Sequence, residues 1–176
     1  MKKLLFSLLF VSMCLSAIAQ NETSNNELKI NMSNLIIFKF LDVGYERILN
    51  EESSFGFGTL ISLDNGVESF DEYRTFSVTP YYRHFFSNKY AQGFFVEAFT
   101  MLHSGKDYYD YYEYDSLQSS DHNYTDLAVG ISAGAKWVSD RGFVAEFYFG
   151  IGRDLLNQSD IEVVGRGGLS IGYRFK

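Results

Sequence analysis

One cysteine and one proline occur in 176 residues. A lone thiol, Cys14, supplies neither a disulfide framework nor a Cys-based zinc centre, since both need at least two thiols held close together. The near absence of proline excludes collagen-like and Pro-rich linker chains. Basic residues are also few, with Lys+Arg 15 against Asp+Glu 22 and a formal charge of -7. The counterion release that drives nucleic-acid binding therefore has no source, and no nucleic-acid partner is expected. No metal-ligand spacing, phosphate-binding glycine loop or nucleotide fingerprint is present, so no cofactor is expected. Nor does any stretch reach the apolar length of a membrane-spanning helix.

What remains is 46% hydrophobic and 18% aromatic, with 15 glycines, the composition of one folded domain. Lys2 and Lys3 precede an apolar run from Leu4 to Leu15, and Ala17-Ile18-Ala19 places small residues where a signal peptidase reads. The expectation is a signal peptide over 1–19, cleavage before Gln20, and an exported domain over 20–176. The alternative, acylation of Cys14, is disfavoured because Met13 stands where such signals want a small side chain. Loss of two lysines and no acid takes the charge from -7 to -9, so the exported domain is acidic. If it meets a membrane again, it does so as strands.

From about Leu28 onward the apolar residues recur with period two. The pattern predicts eight strands near 28–38, 40–49, 54–64, 73–86, 93–103, 124–138, 142–154 and 161–175. Leu127, Val129, Ile131, Ala133, Ala135 and Trp137 share one face, and Asp126, Gly130, Ser132, Gly134 and Lys136 the other. Phe143, Phe147, Phe149 and Ile151 oppose Glu146, Tyr148, Gly150 and Asp154. Leu169, Ile171, Tyr173 and Phe175 oppose Arg166, Gly168, Ser170 and Arg174. Pro80, near the middle of the fourth strand, predicts a bulge there or a shorter strand. Connections alternate in length: 50–53, 87–92 and 139–141 are short, whereas 64–72 and 104–123 are long. Short turns at one end and longer loops at the other, with strands of about ten residues, are the pattern of an up-and-down barrel in an outer membrane. Phe55, Phe86, Phe94, Trp137, Phe143 and Phe175 sit on the apolar parity beside the short turns or the C-terminus, which predicts an aromatic girdle.

Val43-Gly44-Tyr45-Glu46-Arg47, Pro80-Tyr81-Tyr82-Arg83, Gly93-Phe94-Phe95-Val96-Glu97, Gly134-Ala135-Lys136-Trp137 and the closing Gly172-Tyr173-Arg174-Phe175 give the chain its family likeness. On these segments, over nearly the whole exported part, the chain resembles the small eight-stranded outer-membrane β-barrel proteins, a group that includes exported families of unknown function. The resemblance implies an all-β, eight-stranded antiparallel up-and-down transmembrane barrel. It also implies delivery by the barrel-assembly machinery, outer-membrane lipid as surroundings, and a monomer. Period two alone does not say which face is inside. A soluble, exported, lipocalin-like barrel with a small apolar ligand is the alternative.

On the membrane reading the inward parity carries Lys29, Arg83, Lys136, Arg166 and Arg174 against Asp42, Glu46, Glu97, Asp126 and Glu146. Charges removed from bulk water must be paired, and an eight-stranded barrel is narrow enough for side chains to fill. Glu46, Arg83, Glu97, Lys136, Glu146, Arg166 and Arg174 are therefore expected in an interior ionic network, a plug rather than an ion path. Outside, the segment from Lys106 to Asp115 concentrates Tyr108, Tyr109, Tyr111, Tyr112 and Tyr114 among four acids. Tyrosine gives contact area at low entropic cost, which points to a surface-interaction loop with an extracellular partner. The plain reading is an extended soluble hairpin. The segment lacks the acid spacing and turn glycine of a calcium loop.

Lipid-modifying catalysis is the rival of a different class, with His103 and Ser104, His84 and Ser87, or His122 with Ser119 or Asp121 as candidates. Adjacent strand residues point to opposite faces, which weakens the first pair. The favoured expectation is a non-enzymatic barrel acting in envelope structure or surface interaction.

Overall fold

The computed structural model describes residues 25–63, 74–113, 116–156 and 162–176, with the backbone alone over 106–122. The expected signal peptide, the 64–72 loop and Tyr114 lie outside the described residues. Eight antiparallel strands close into a barrel in sequence order: β1 (Asn26–Asn31), β2 (Phe40–Ile48), β3 (Ser53–Ser62), β4 (Arg74–Phe85), β5 (Gly93–Glu113), β6 (Ser116–Val138), β7 (Phe143–Asp154) and β8 (Val163–Phe175). Closure is made by β1, where Leu28 lies opposite Tyr45 of β2 and Tyr173 of β8. Closure pairs each strand on both sides through the short-turn half of the wall. Beyond Asn31, where β1 ends, β2 and β8 run on beside the following segment and leave a break in the ladder.

Period two is kept strictly in the wall. Along β7, Phe143, Ala145, Phe147, Phe149 and Ile151 are exposed while Val144, Glu146, Tyr148, Gly150 and Gly152 are buried. The same alternation runs through β3 and β5. Exposed residues are aromatic or aliphatic, and buried ones include Glu27, Lys29, Glu46, Arg83, Glu97, Lys136 and Glu146. The barrel is thus apolar outside and charged inside.

Three local expectations are corrected. The strand drawn over 28–38 ends at Asn31, and Met32–Ile37 forms a short helix, α1. Alternation continues through this segment as Ile30, Met32, Asn34 and Ile36, but the Asn31 side chain accepts the Asn34 N–H at 3.1 Å and caps a helical turn. Capping chemistry overrode the period. Pro80 causes no register shift: its neighbours pair as Val78↔Leu102 and Tyr81↔Phe99, and the irregularity of β4 falls instead between Arg74 and Phe76. Finally, the long 104–123 connection is mostly strand. The ladder between β5 and β6 continues to Glu113↔Ser116, which makes the extended hairpin the correct description of its backbone.

At the short-turn end, turns are fixed by side chains. Asn50 Oδ1 accepts from Glu52 N and Ser53 Oγ, both at 2.9 Å. Ser139 Oγ accepts from Phe143 N at 3.0 Å while Gly142 takes φ of 87°. The β4–β5 turn folds beneath the barrel, where Ala91 packs with Ile48, Phe85 and Phe95 and closes that end.

Candidate functional site: the charged barrel interior

Above the apolar floor, four carboxylates and five cations interlock. Glu46 of β2 is the centre: it accepts from Lys29 at 2.5 Å, Lys136 at 2.6 Å and Arg83 at 3.0 Å, with Ser54 Oγ at 2.6 Å. Glu146 accepts from Lys29 and Arg83, each at 2.8 Å. Glu97 joins Arg83 and Arg166, each at 2.7 Å, and accepts Ser132 Oγ at 2.9 Å. Glu27 joins Lys136 at 2.7 Å and Arg174 at 2.6 Å. Each carboxylate meets at least two cations, so the desolvation cost of every carboxylate is offset by more than one partner.

Aromatic rings complete the packing. The Arg83 guanidinium lies 3.9 Å from the Phe95 ring centroid, and the Lys136 ammonium 4.7 Å from that of Phe85. Arg166 is ringed by Tyr81, Phe99 and Tyr148 at 5.1 to 5.5 Å. Weakly hydrated guanidinium groups suit such ring faces. Room for the rings comes from facing glycines. A Cβ on Gly56 would lie 2.5 Å from the Tyr81 ring, and one on Gly134 2.7 Å from Phe95. The inward glycines therefore make space for aromatic rings that clamp the cations, beyond simply letting the walls approach.

All seven residues expected in the ionic network, Glu46, Arg83, Glu97, Lys136, Glu146, Arg166 and Arg174, are brought together, with Lys29. Asp126 is buried on the inward face as its parity predicts, and it accepts the N–H groups of Leu127 and Leu156 at a strand end. Asp42 stands above the network, held by Asn31 and Asn34. Glu27 takes the place expected for a further acid. The sequence-based strand begins at 28, two residues after the observed start at Asn26, and so leaves Glu27 out; the parity it shares with Lys29 is the signal that finds it.

Outward, Phe55, Phe86, Phe94, Trp137 and Phe143 are exposed near the short turns, and Phe175 is half-buried beside Asn26. The Phe86 ring lies tilted against Phe94, and Phe143 meets Tyr173 edge-on. Tyr108, Tyr109, Tyr111 and Tyr112 lie on the backbone of the β5–β6 hairpin.

Of the candidate catalytic pairs, His103 and Ser104 are not brought together. His103 is buried inside while Ser104 lies on the other face; His103 Nε2 pairs with Asp154 Oδ1 at 2.8 Å, and its Nδ1 has no hydrogen-bond partner. His84 packs edge-on against Phe86. The side chain of His122 lies outside the described residues. Among the described residues no cluster of His, Cys, Asp and Glu is arranged to hold a metal ion.

A family model matches residues 5–168, nearly the whole chain. The chain belongs to the family described as Protein of unknown function (DUF3575). Nothing among curated proteins or solved structures matches the chain significantly. For this DUF3575 chain the barrel geometry is therefore the main source of functional inference.

Proposed function

We propose that the chain is a non-enzymatic outer-membrane barrel with a sealed polar interior, acting in envelope structure or surface interaction through the loops of its long-hairpin end. The observation that carries this reading is the outer surface. Seven of the eight strands, all but β2, turn large apolar side chains outward, among them Leu28, Phe57, Tyr82, Leu102, Ile131, Phe149 and Ile171, each at least 40% exposed. Soluble monomers rarely expose a continuous apolar patch of more than a few hundred square ångströms, whereas a bilayer requires one. A soluble lipocalin-like barrel needs the reverse arrangement, whereas here, among the described residues, the barrel's centre is occupied by ions such as Glu46, Arg83 and Lys136. The interior favours a plug over an ion path, because network and rings fill the cross-section.

The test is retention of the mature chain in outer membranes after a carbonate wash, with a mobility shift on detergent gels between unheated and boiled samples. Retention with the shift is expected. A chain released by carbonate and unshifted by heat overturns the reading.

The surface-interaction role rests on the tyrosine-rich hairpin. Removing residues 107–115 is expected to leave the heat-dependent shift intact and to abolish attachment in a panel of matrix proteins and host or partner cells. Unchanged attachment across that panel counts against the role.

A further inference from the structure

The ionic network fills the short-turn half of the barrel and leaves room above it. A cavity of about 470 Å³, within the range of small-molecule sites, lies toward the long-hairpin end. Its floor is the upper edge of the network, where Gly58, Tyr148 and Arg166 meet. β1 does not reach this level: it ends at Asn31, and α1 takes its place between β2 and β8. Ser33 Oγ accepts the Leu169 N–H at 2.9 Å, and Asn34 Nδ2 donates to Asp42 Oδ2 at 2.7 Å. The helix is thus fastened to both strands and forms one wall of the cavity, to which it contributes Ser33 and Asn34.

The charged groups of the lining are already engaged. Arg166 pairs with Glu97 at 2.7 Å, Asp42 accepts from Asn31 and Asn34, and Arg74 donates to Met101 Sδ and to Gly165 O, each at 2.8 Å. An entering ion would have to displace one of these partners and lose its own water as well. The hydroxyls differ. Ser77 and Thr79, two apart on β4 and so on one face, are 2% and 4% exposed and line the cavity. Neither side chain makes a hydrogen bond among the described residues, and a buried hydroxyl without a partner is costly. Around them the lining is largely apolar, with Phe38, Phe40, Leu60, Met101, Phe147 and Phe149.

We propose that this cavity binds an uncharged, mainly apolar small molecule that carries one hydroxyl or carbonyl group. That group meets Ser77 and Thr79, and the apolar body lies along Phe40, Leu60 and Met101. The site rests on the surface-interaction reading given above and deepens it, by naming what the long-hairpin end takes up.

The test uses a diazirine-bearing decanol and the full mature chain, in phosphatidylcholine nanodiscs or, if the chain stays in the aqueous fraction, in buffer. After irradiation the labelled residues are mapped. Labelling is expected at Leu60, Thr79 and Met101, which are buried within the barrel and out of reach of a probe dissolved in the bilayer. At equal free concentration decan-1-ol is expected to displace the probe about five- to tenfold better than decane, the worth of one net hydrogen bond. Decyl sulfate and decyltrimethylammonium are expected not to displace it. In Ser77→Ala with Thr79→Val the alcohol and the alkane are expected to compete equally. Gly58 lies opposite Thr79, and a Cβ built on it meets only Arg166 Nη2, at 3.9 Å, so Gly58→Leu is expected to cut the inner labelling about tenfold.

Labelling confined to outward residues such as Ile131, or undiminished in a Gly58→Leu chain that keeps its heat shift, overturns the site. Displacement by either charged compound overturns the uncharged class. A preference for the alcohol that survives the double substitution, or its absence from the wild-type chain, overturns the hydroxyl contact. If the double variant does not fold, the wild-type competition series decides alone. Inner labelling without a heat shift keeps the cavity and overturns the membrane reading. Attachment through 107–115 is a separate readout, so failure of the cavity and failure of the surface-interaction reading are told apart.

Discussion

Glu46→Gln is expected to lower the unfolding free energy by about 3–5 kcal/mol, the cost of leaving buried charge uncompensated. The amide keeps the shape of the carboxylate, so the change isolates charge. Lys29, Arg83 and Lys136 converge on Glu46, and the three acids that remain, Glu27, Glu97 and Glu146, then face all five cations. Denaturant titration of the refolded barrel measures the loss, with Ser54→Ala as a comparison. That variant removes one hydroxyl from the same carboxylate and is expected to cost about 1 kcal/mol. The double change Glu46→Gln with Lys136→Met withdraws a charge of each sign and is expected to recover part of the deficit, a coupling that a mutant cycle reads directly. A Glu46→Gln loss below that of Ser54→Ala would show that the ions are solvated and the interior is wet.

Ile131→Arg tests the outside as Glu46 tests the inside. Ile131 is 63% exposed, opposite Ala98 and Ile151. It stands six residues from Trp137, roughly 20 Å along the strand and about 14 Å along the axis at a tilt near 45°, close to the middle of a ~25 Å apolar band. In a lipid vesicle the arginine is expected to cost about 2–4 kcal/mol, because a charge at the bilayer midplane is poorly solvated. At the surface of a soluble barrel the same substitution would fall within about 0.5 kcal/mol of zero. Guanidinium titration of the refolded variants in vesicles distinguishes the two. A near-zero change would remove the main support for the membrane reading.

Most of the fold was legible because a barrel wall imposes one repeated constraint: parity put Arg83, Glu97, Lys136, Glu146 and Arg174 on one face and Phe143, Phe149 and Ile171 on the other, and the outer-membrane resemblance made the charged face the inner one. Legibility failed where a local contact outweighed the period. The Asn31 cap turned an apparent strand into α1, and with it created the wall break. Pro80 looked like an interruption, yet the β4 ladder passes it in register since only its own N–H is missing. The interior was readable as a set of charges but not as a set of contacts. Which lysine meets which glutamate depends on the stagger between strands, as in Lys136 reaching Glu27 from the far side of the barrel. Asp126 shares the parity of Lys136 and yet serves a strand end.

The network joins residues from opposite ends of the chain: Lys29 to Glu146, Lys136 to Glu27, and Arg174 to Glu27. During assembly an open, partly formed sheet would leave these three pairs unmade, and docking of β8 against β1 completes them. Closure of the cylinder and discharge of its interior are then one event. A chain lacking its last strand would be left with Glu27 missing a cation and with an unpaired sheet edge at the same moment. Such an intermediate lacks both a closed ladder and a balanced interior, which ties the sequence's two ends into a single quality check on a finished barrel.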